Sequence, residues 1–259
     1  MIRVGVAGWT IPRFQAHRFT TQGTHLQRYA HAFSCVEINS SFYRRHESAT
    51  YARWAASTPT RFQFAVKLPR TITHESGLSG ARLALREFLE DTSGLGRKRG
   101  PLLVQLPPSL WFDGRVAARF FDAFRDRYDG PIVCEPRHPT WFRPAATQLL
   151  IRHQVARVAA DPSCAPGGGA PGAWEAFAYF RLHGSPRMYW SRYDAASIEA
   201  LARTLTTAAR AGDVWCIFDN TALGTATENA FELRSLLKPA PFLPAAEPPT
   251  RAIDRAPTH

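Results

Sequence analysis

Eight short apolar runs punctuate the chain, and the segments between them carry apolar residues at the 3.6-residue spacing of amphipathic helices. The runs predict strands over residues 3–8, 35–39, 62–67, 102–106, 131–136, 155–160, 177–183 and 214–218. The periodic segments predict helices near 25–33, around Tyr51 to Ala55, and near 80–93, 115–127, 144–153, 195–211 and 226–237. Side chains alternate across a strand, so Val36 and Ile38 share one face while Glu37 and Asn39 share the other. The same parity separates Phe64 and Val66 from Lys67, and Phe180 and Leu182 from Arg181 and His183. A strand covered by helices on both sides should be apolar on both faces. Several strands that break this rule at their C-terminal ends point to one shared polar pocket.

That pattern predicts an α/β fold, a single (β/α)8 TIM-type barrel of parallel strands with its active site at the C-terminal mouth. The barrel domain is expected over residues 2–237. An open Rossmann-type sheet is the rival, but no G-x-G-x-x-G or G-x-x-x-x-G-K-[ST] follows a strand. Residues 163–172, rich in Gly and Pro, read as a mobile loop. Residues 238–259, rich in Pro and Ala, read as a disordered tail.

Composition supports a large core: 45% of the 259 residues are hydrophobic, with seven Trp and seventeen Phe. No apolar stretch approaches the roughly 18 residues of a membrane span, so no membrane partner is expected. The first strand begins at once, which leaves no room for a signal peptide. Cys35, Cys134, Cys164 and Cys216 lack paired spacing, and three lie in predicted strands, where a reduced buried thiol is the ordinary state. A cytoplasmic location is the expectation. The net charge of +11 comes almost wholly from Arg, the only lysines being Lys67, Lys98 and Lys238. It is read either as compositional bias or as a preference for anionic ligands.

Ordered motifs along the chain resemble those of one family. They are Gly8-Trp9; Val36-Glu37-Ile38-Asn39-Ser40-Ser41-Phe42-Tyr43; Phe64-Ala65-Val66-Lys67 with Ile72-Thr73-His74; Gly100 to Pro108; Glu135-Pro136-Arg137-His138-Pro139-Thr140-Trp141-Phe142; Arg181-Leu182-His183-Gly184; and Asn220 with Asn229-Ala230. Over residues 2–237 the chain closely resembles the YecE-like family, domain of unknown function 72. The resemblance implies a TIM-barrel fold and no established reaction. Where members of that family carry two Asn, this chain has Asp219-Asn220, so a role for Asp219 is not implied by the resemblance.

Strand ends supply the candidate chemistry. Glu37, Lys67, Glu135 and His183 are the catalytic candidates, because two carboxylates beside a Lys and a His can have their pKa values pushed apart into an acid and a base. Trp9, Asn39, Tyr43, Gln105, Arg137, His138, Asp161, Arg181, Tyr189 and Asn220 are the substrate-binding candidates. Each has a plainer reading. Glu37 can be an ion-pair partner of Lys67 or Arg181, Glu135 and Arg137 can pair with neighbours, His138 can cap its loop, and Asp161 can serve a turn before Pro162. Lys67 can be a base, a Schiff-base nucleophile, a fixed cation or half of an ion pair. No cofactor is specified. Glu37, Glu135, Asp161 and His183 are ligand types for a divalent metal, opposed by Lys67, Arg137 and Arg181. Loop aromatics Trp9, Phe42, Tyr43, Trp141, Tyr189, Trp190 and Tyr193, with Arg13, Arg44, Arg45, Arg187 and Arg192, suit a cationic entrance. The resulting expectation is an enzyme acting by acid–base chemistry on a small anionic, phosphorylated, carboxylated or sugar-like substrate. The alternative is a nucleic-acid binder using the basic, aromatic mouth. A Ser hydrolase is not indicated, since no G-x-S-x-G occurs.

Overall fold

A computed structural model describes residues 1–237; the expectation for 238–259 lies outside the described residues. The described residues form ten strands and seven α-helices, in the order β1 (Ile2–Val6), α1 (His25–Ala32), β2 (Cys35–Ile38), α2 (Ser48–Ala56), β3 (Gln63–Lys67), α3 (Arg82–Thr92), β4 (Arg99–Gln105), α4 (Gly114–Arg125), β5 (Ile132–Glu135), α5 (Pro144–Arg152), β6 (Val155–Arg157), β7 (Ala159–Asp161), β8 (Gly172–Ala173), β9 (Phe177–Leu182), α6 (Ala195–Ala208), β10 (Asp213–Phe218) and α7 (Thr225–Leu237). Three of the helices begin where a short polar side chain satisfies their first amides. Thr24 and Gln27 form a reciprocal capping box at α1. Asp113 accepts from the amides of Arg115 and Val116 at α4, and Asp194 from that of Ser197 at α6.

Two hydrogen-bonded sheets result, in the orders β1-β10-β9-β7 and β2-β3-β4-β5-β6-β8. All pairings are parallel except the short β8 on β6. The sheets touch at two places. Ala7 bridges Glu37 in parallel, with the Gly8 amide donating to the Glu37 carbonyl at 2.9 Å. Val158 alone separates β6 from β7, and its amide donates to the Cys134 carbonyl at 2.8 Å.

Here the expected single strand over 155–160 is corrected. Its first part pairs with β5 and its second with β9, so the ladder changes partner at Val158. The loop expected over 163–172 also carries the start of β8 and a contact from the Ala160 amide to the Gly168 carbonyl at 3.0 Å.

Strand parity sorts the core into two clusters. Val4, Val6, Val36, Ile38, Phe64, Val66, Phe180 and Leu182 belong to the larger one, which packs with the helices. Cys35, Ala65, Leu103, Val133, Ala156, Val158, Tyr179, Trp215 and Ile217 form a separate inner cluster. Two residues beyond six of these inner positions the chain carries Glu37, Lys67, Gln105, Glu135, Arg181 and Asp219. The inner face thus turns from apolar to charged at the C-terminal ends of the strands. Cys35, Cys134 and Cys216 are buried free thiols and Cys164 is exposed. No helix among the described residues is long and apolar enough to cross a membrane.

Candidate active site

Arg181, on β9, is only 1% exposed and organises the charged layer. Its Nε and Nη2 donate to the two carboxylate oxygens of Glu37 at 3.0 and 2.7 Å. Nη1 donates to Glu135 at 2.6 Å and Nη2 also to Asp219 at 2.9 Å. A planar guanidinium with five fixed donors suits such a hub. Tyr179, two residues earlier on the same strand face, donates its hydroxyl to Glu37 at 2.9 Å.

His183 lies between two carboxylates, with Nδ1 3.1 Å from Asp219 Oδ2 and Nε2 3.1 Å from Glu135 Oε1. Burial lowers its pKa and Arg181 opposes protonation, but Glu135 and Asp219 outweigh both and raise the value above that of a free imidazole. Two acceptors facing the two ring nitrogens fit the imidazolium. Arg137 Nη2 also lies 3.0 Å from Nε2, but a protonated Nε2 cannot accept. The bonding partner of Arg137 is Glu135, reached from Nε at 2.7 Å. Burial alone would raise the Glu135 carboxyl; Arg181, His183 and Arg137 hold it well below the usual range. Asp219 is lowered in the same way, against burial, by Arg181 and His183.

Lys67 differs from its neighbours. It is 7% exposed, and its Nζ sits 4.0 Å over the ring of Phe42. Among the described residues it has no carboxylate within ion-pair distance. Burial first, then Arg181, lowers its pKa from an ordinary lysine's to about 8, against the pull of Glu37, Glu135 and Asp219. Arg137, Arg181 and the His183 imidazolium match the carboxylates of Glu37, Glu135 and Asp219 one for one. The Lys67 ammonium is the surplus charge.

Other predicted residues scatter. Gln105 is half-buried and donates to the Leu106 carbonyl at 3.1 Å. Asn39 begins the turn Ser40–Phe42 with its side-chain oxygen buried and unpartnered. Tyr189 packs edge-on against the His183 ring at 5.7 Å and covers it from the loop after β9. Tyr43 is 73% exposed. Trp9 packs on Trp54 of α2 at 5.1 Å. His138 accepts from the Thr140 amide and caps the turn Pro139–Phe142, the plainer of its two roles. Asn220 is fully buried, and its Nδ2 donates to the Ser191 carbonyl at 2.9 Å and to Asn229 at 3.1 Å, so it fastens the loop rather than facing the cluster.

Asp161 lies apart from the charged cluster. It shares parity with Ala159 of the outer core, and it lines a cavity of about 650 Å³ against α6 with Phe180, Leu182 and Tyr193. Ala160, paired in register with Arg181, holds the inner position instead. Trp141 and Tyr193 are buried, with the Trp141 indole bonded to the Leu110 carbonyl at 3.0 Å. Arg45 is paired with Asp91 and Glu87, and Arg192 with Glu228 and Glu232. Two further residues, Tyr179 and Asp219, join the cluster. Tyr179 reads as an aromatic core residue, although its spacing from Arg181 places it on the inner face. Asp219 is set apart by its departure from the family pattern.

No group of three or more His, Cys, Asp or Glu side chains among the described residues is arranged to hold a metal ion. The carboxylate lone pairs are directed at Arg181, Arg137 and His183. The arrangement can hold an anion against Lys67 and move protons between groups whose pKa values are displaced in opposite directions.

The family model for proteins of unknown function DUF72 matches residues 3–252. UPF0759 protein YecE of Escherichia coli K12 is 30% identical over 150 residues, which cover 55% of this chain and 50% of YecE. The match thus spans about half the length of that relative. UPF0759 protein YunF of Bacillus subtilis 168 is 24% identical over 275 residues, covering 92% of this chain and 95% of YunF. The crystal structure of a DUF72 family protein from Enterococcus faecalis V583 has a TM-score of 0.78 at 21% identity, covering 92% of this chain and 95% of that one. The chain is therefore a member of the YecE-like DUF72 family.

Proposed function

We propose that the chain is an enzyme whose buried charge cluster binds a small anionic substrate and transfers protons to and from it. One observation carries this reading: after Glu37, Glu135 and Asp219 are matched by Arg181, Arg137 and His183, Lys67 remains a buried cation without a carboxylate partner. The Lys67 nitrogen is not among the described side-chain atoms sealed from solvent, so this unmatched, mostly buried charge is open to an anionic ligand. Lys67, lowered toward neutrality, is the base when it has lost its proton, and His183, raised, is the acid. Glu135 and Asp219 keep His183 charged and oriented. Arg137, at the rim, is the second contact for a phosphate or carboxylate.

The fold belonging to this proposal is a closed (β/α)8 barrel over residues 2–237, with β6 and β7 as one interrupted strand. The Ala7–Glu37 bridge on one side and the single-residue break at Val158 on the other support closure. The buried free thiols support a reducing compartment such as the cytoplasm.

A thermal-shift series with sugar phosphates, inorganic phosphate and small dicarboxylates tests the reading, since a ligand that binds only the native state raises the melting temperature. The expected result is a shift at pH 7 from one class of small anion, lost in Lys67→Met and smaller above pH 8, where the ammonium discharges. A shift of undiminished size in Lys67→Met rejects it. A second reading, a nucleic-acid surface, rests on exposed Tyr43 and on Arg187 stacked 4.3 Å over half-exposed Trp190. It expects oligonucleotide binding that weakens steeply with salt and survives Lys67→Met.

A further inference from the structure

We propose that Lys67 is a nucleophile that condenses with the carbonyl carbon of a small anionic aldehyde or ketone, linking it to the protein as an iminium. The inference rests on the anion-binding reading above and deepens it by naming the substrate class.

Lys98, half-buried, and Lys67, buried, are held in opposite ways. Lys98 donates to the carbonyls of Ala55 and Thr58 at 2.6 and 2.7 Å and to the Thr58 hydroxyl at 3.2 Å, so all three of its N–H groups are committed to the end of α2. Burial lowers the pKa of Lys98 as well, but the three bonds tie up its nitrogen, so it is a structural lysine and the contrast with Lys67 lies in the hydrogen bonding. Lys67 donates to no acceptor among the described residues and rests on the face of Phe42, so discharging it breaks no hydrogen bond. The neighbouring carboxylates are already occupied by Arg181, Arg137 and His183. A lysine so placed can present a lone pair, and its lowered pKa supports the same conclusion.

The rest of the cluster completes the requirements. Arg137 Nη1 has only the thioether of Met188 at 3.8 Å as a partner and is the donor left for the substrate's carboxylate or phosphate. The neutral Lys67 amine adds to the carbonyl carbon while the carbon–oxygen π pair moves to oxygen. The carbinolamine then loses its oxygen as water. One proton is taken up overall, for which the His183 imidazolium is the acid of the cluster. Amine, carbonyl and proton give iminium and water, with no oxidant or reductant. The iminium keeps the positive charge of the ammonium it replaces, so the charge balance of the cluster is preserved.

The chain's three lysines make the test clean. The full protein is incubated near neutral pH with glyoxylate or glyceraldehyde 3-phosphate in the presence of cyanoborohydride, which reduces an iminium to a stable amine, and the modified peptides are quantified by mass spectrometry. The expected result is labelling of Lys67 roughly tenfold or more above Lys98 and Lys238, because an ordinary lysine holds far less free amine at that pH. Inorganic phosphate or malonate should suppress the Lys67 adduct alone. Lys67→Arg, which keeps the charge, should still show a thermal shift with the same carbonyl compounds and carry no adduct at position 67. Labelling spread evenly over the lysines, or absent from Lys67, overturns the covalent role. If the carbonyl compounds nevertheless shift the wild-type melting temperature and Lys67→Met does not respond, anion binding stands without the covalent step. If neither a shift nor an adduct occurs, both fall.

Discussion

Arg181 holds three carboxylates in place, so its loss should be felt more than any other in the inner layer. Arg181→Met leaves Glu37, Glu135 and Asp219 buried without their common cation, and breaking a buried pair in this way costs about 3–5 kcal/mol. Urea unfolding at pH 7 should show that loss as a lower midpoint. Lys67→Met should do the reverse. The folded pKa of Lys67 is below its unfolded value, so the unfolded chain holds more protons between about pH 8 and about pH 10.4, and wild-type stability rises with pH there. Removing the buried ammonium should stabilise the protein by about 2 kcal/mol at pH 7, with the gain fading through that window while anion binding is lost. A gain that is independent of pH would show that packing, not charge, is responsible. Parity in the sequence is enough to find Glu37, Lys67, Glu135, Arg181 and His183 on one face. It does not tell that Arg181 is spent on carboxylates, because that depends on which strands are neighbours. The face that Asp161 takes is not legible in the sequence, because the break at Val158 and the turn before Pro162 hide it.

At the scale of elements, periodicity located nearly every strand and helix to within a few residues, because each carries its own apolar stripe or alternation. Besides the two-residue β8, which lies at the end of an expected loop, the exception is β6 and β7, which fail for a non-local reason: one apolar run serves two hydrogen-bonding partners. The seam between β1 and β2 depends on Gly5, where a Cβ would strike the Cys35 carbonyl. Gly5→Ala should therefore force the strands apart and cost about 2 kcal/mol or more, seen as a lower melting temperature. Asn220 does for the loop after β9 what Gly5 does for the seam. Its amide group holds the Ser191 carbonyl and Asn229, and the Ala222 amide holds the Tyr189 carbonyl at 3.1 Å. Asn220→Ala should cost about 1–3 kcal/mol and free Tyr189 from His183. Faster hydrogen exchange confined to residues 184–193 would be the signature. Unchanged exchange in that loop would mean that Asn220 is not its anchor.

For the whole molecule, the charged layer sets a stability optimum with two flanks. Glu135 and Asp219 have folded pKa values below their unfolded ones, so their contribution is complete above about pH 4 and is lost as pH falls through the lower, folded values. His183 has a folded value above its unfolded one, so its contribution is complete below about pH 6.5 and is lost as pH rises through the raised, folded value. Melting temperature should fall as acid protonates the two carboxylates and again as His183 discharges above about pH 6.5, with Lys67 opposing the second fall above about pH 8. His183→Gln should remove that second fall and, because His183 helps hold Glu135 and Asp219 down, shrink the acid flank as well. The sequence by itself determined the order of elements, the two faces of each strand and the end at which polar residues gather. These are local properties, written in spacings of two and of three to four residues. The tertiary structure decided which of those polar residues meet. Glu37 and Arg181 are far apart in sequence and lie on strands of two different sheets, so they become partners only once the two sheets pack together. That packing matched the three carboxylates to Arg181, Arg137 and His183 and left Lys67 over Phe42 with a charge of its own.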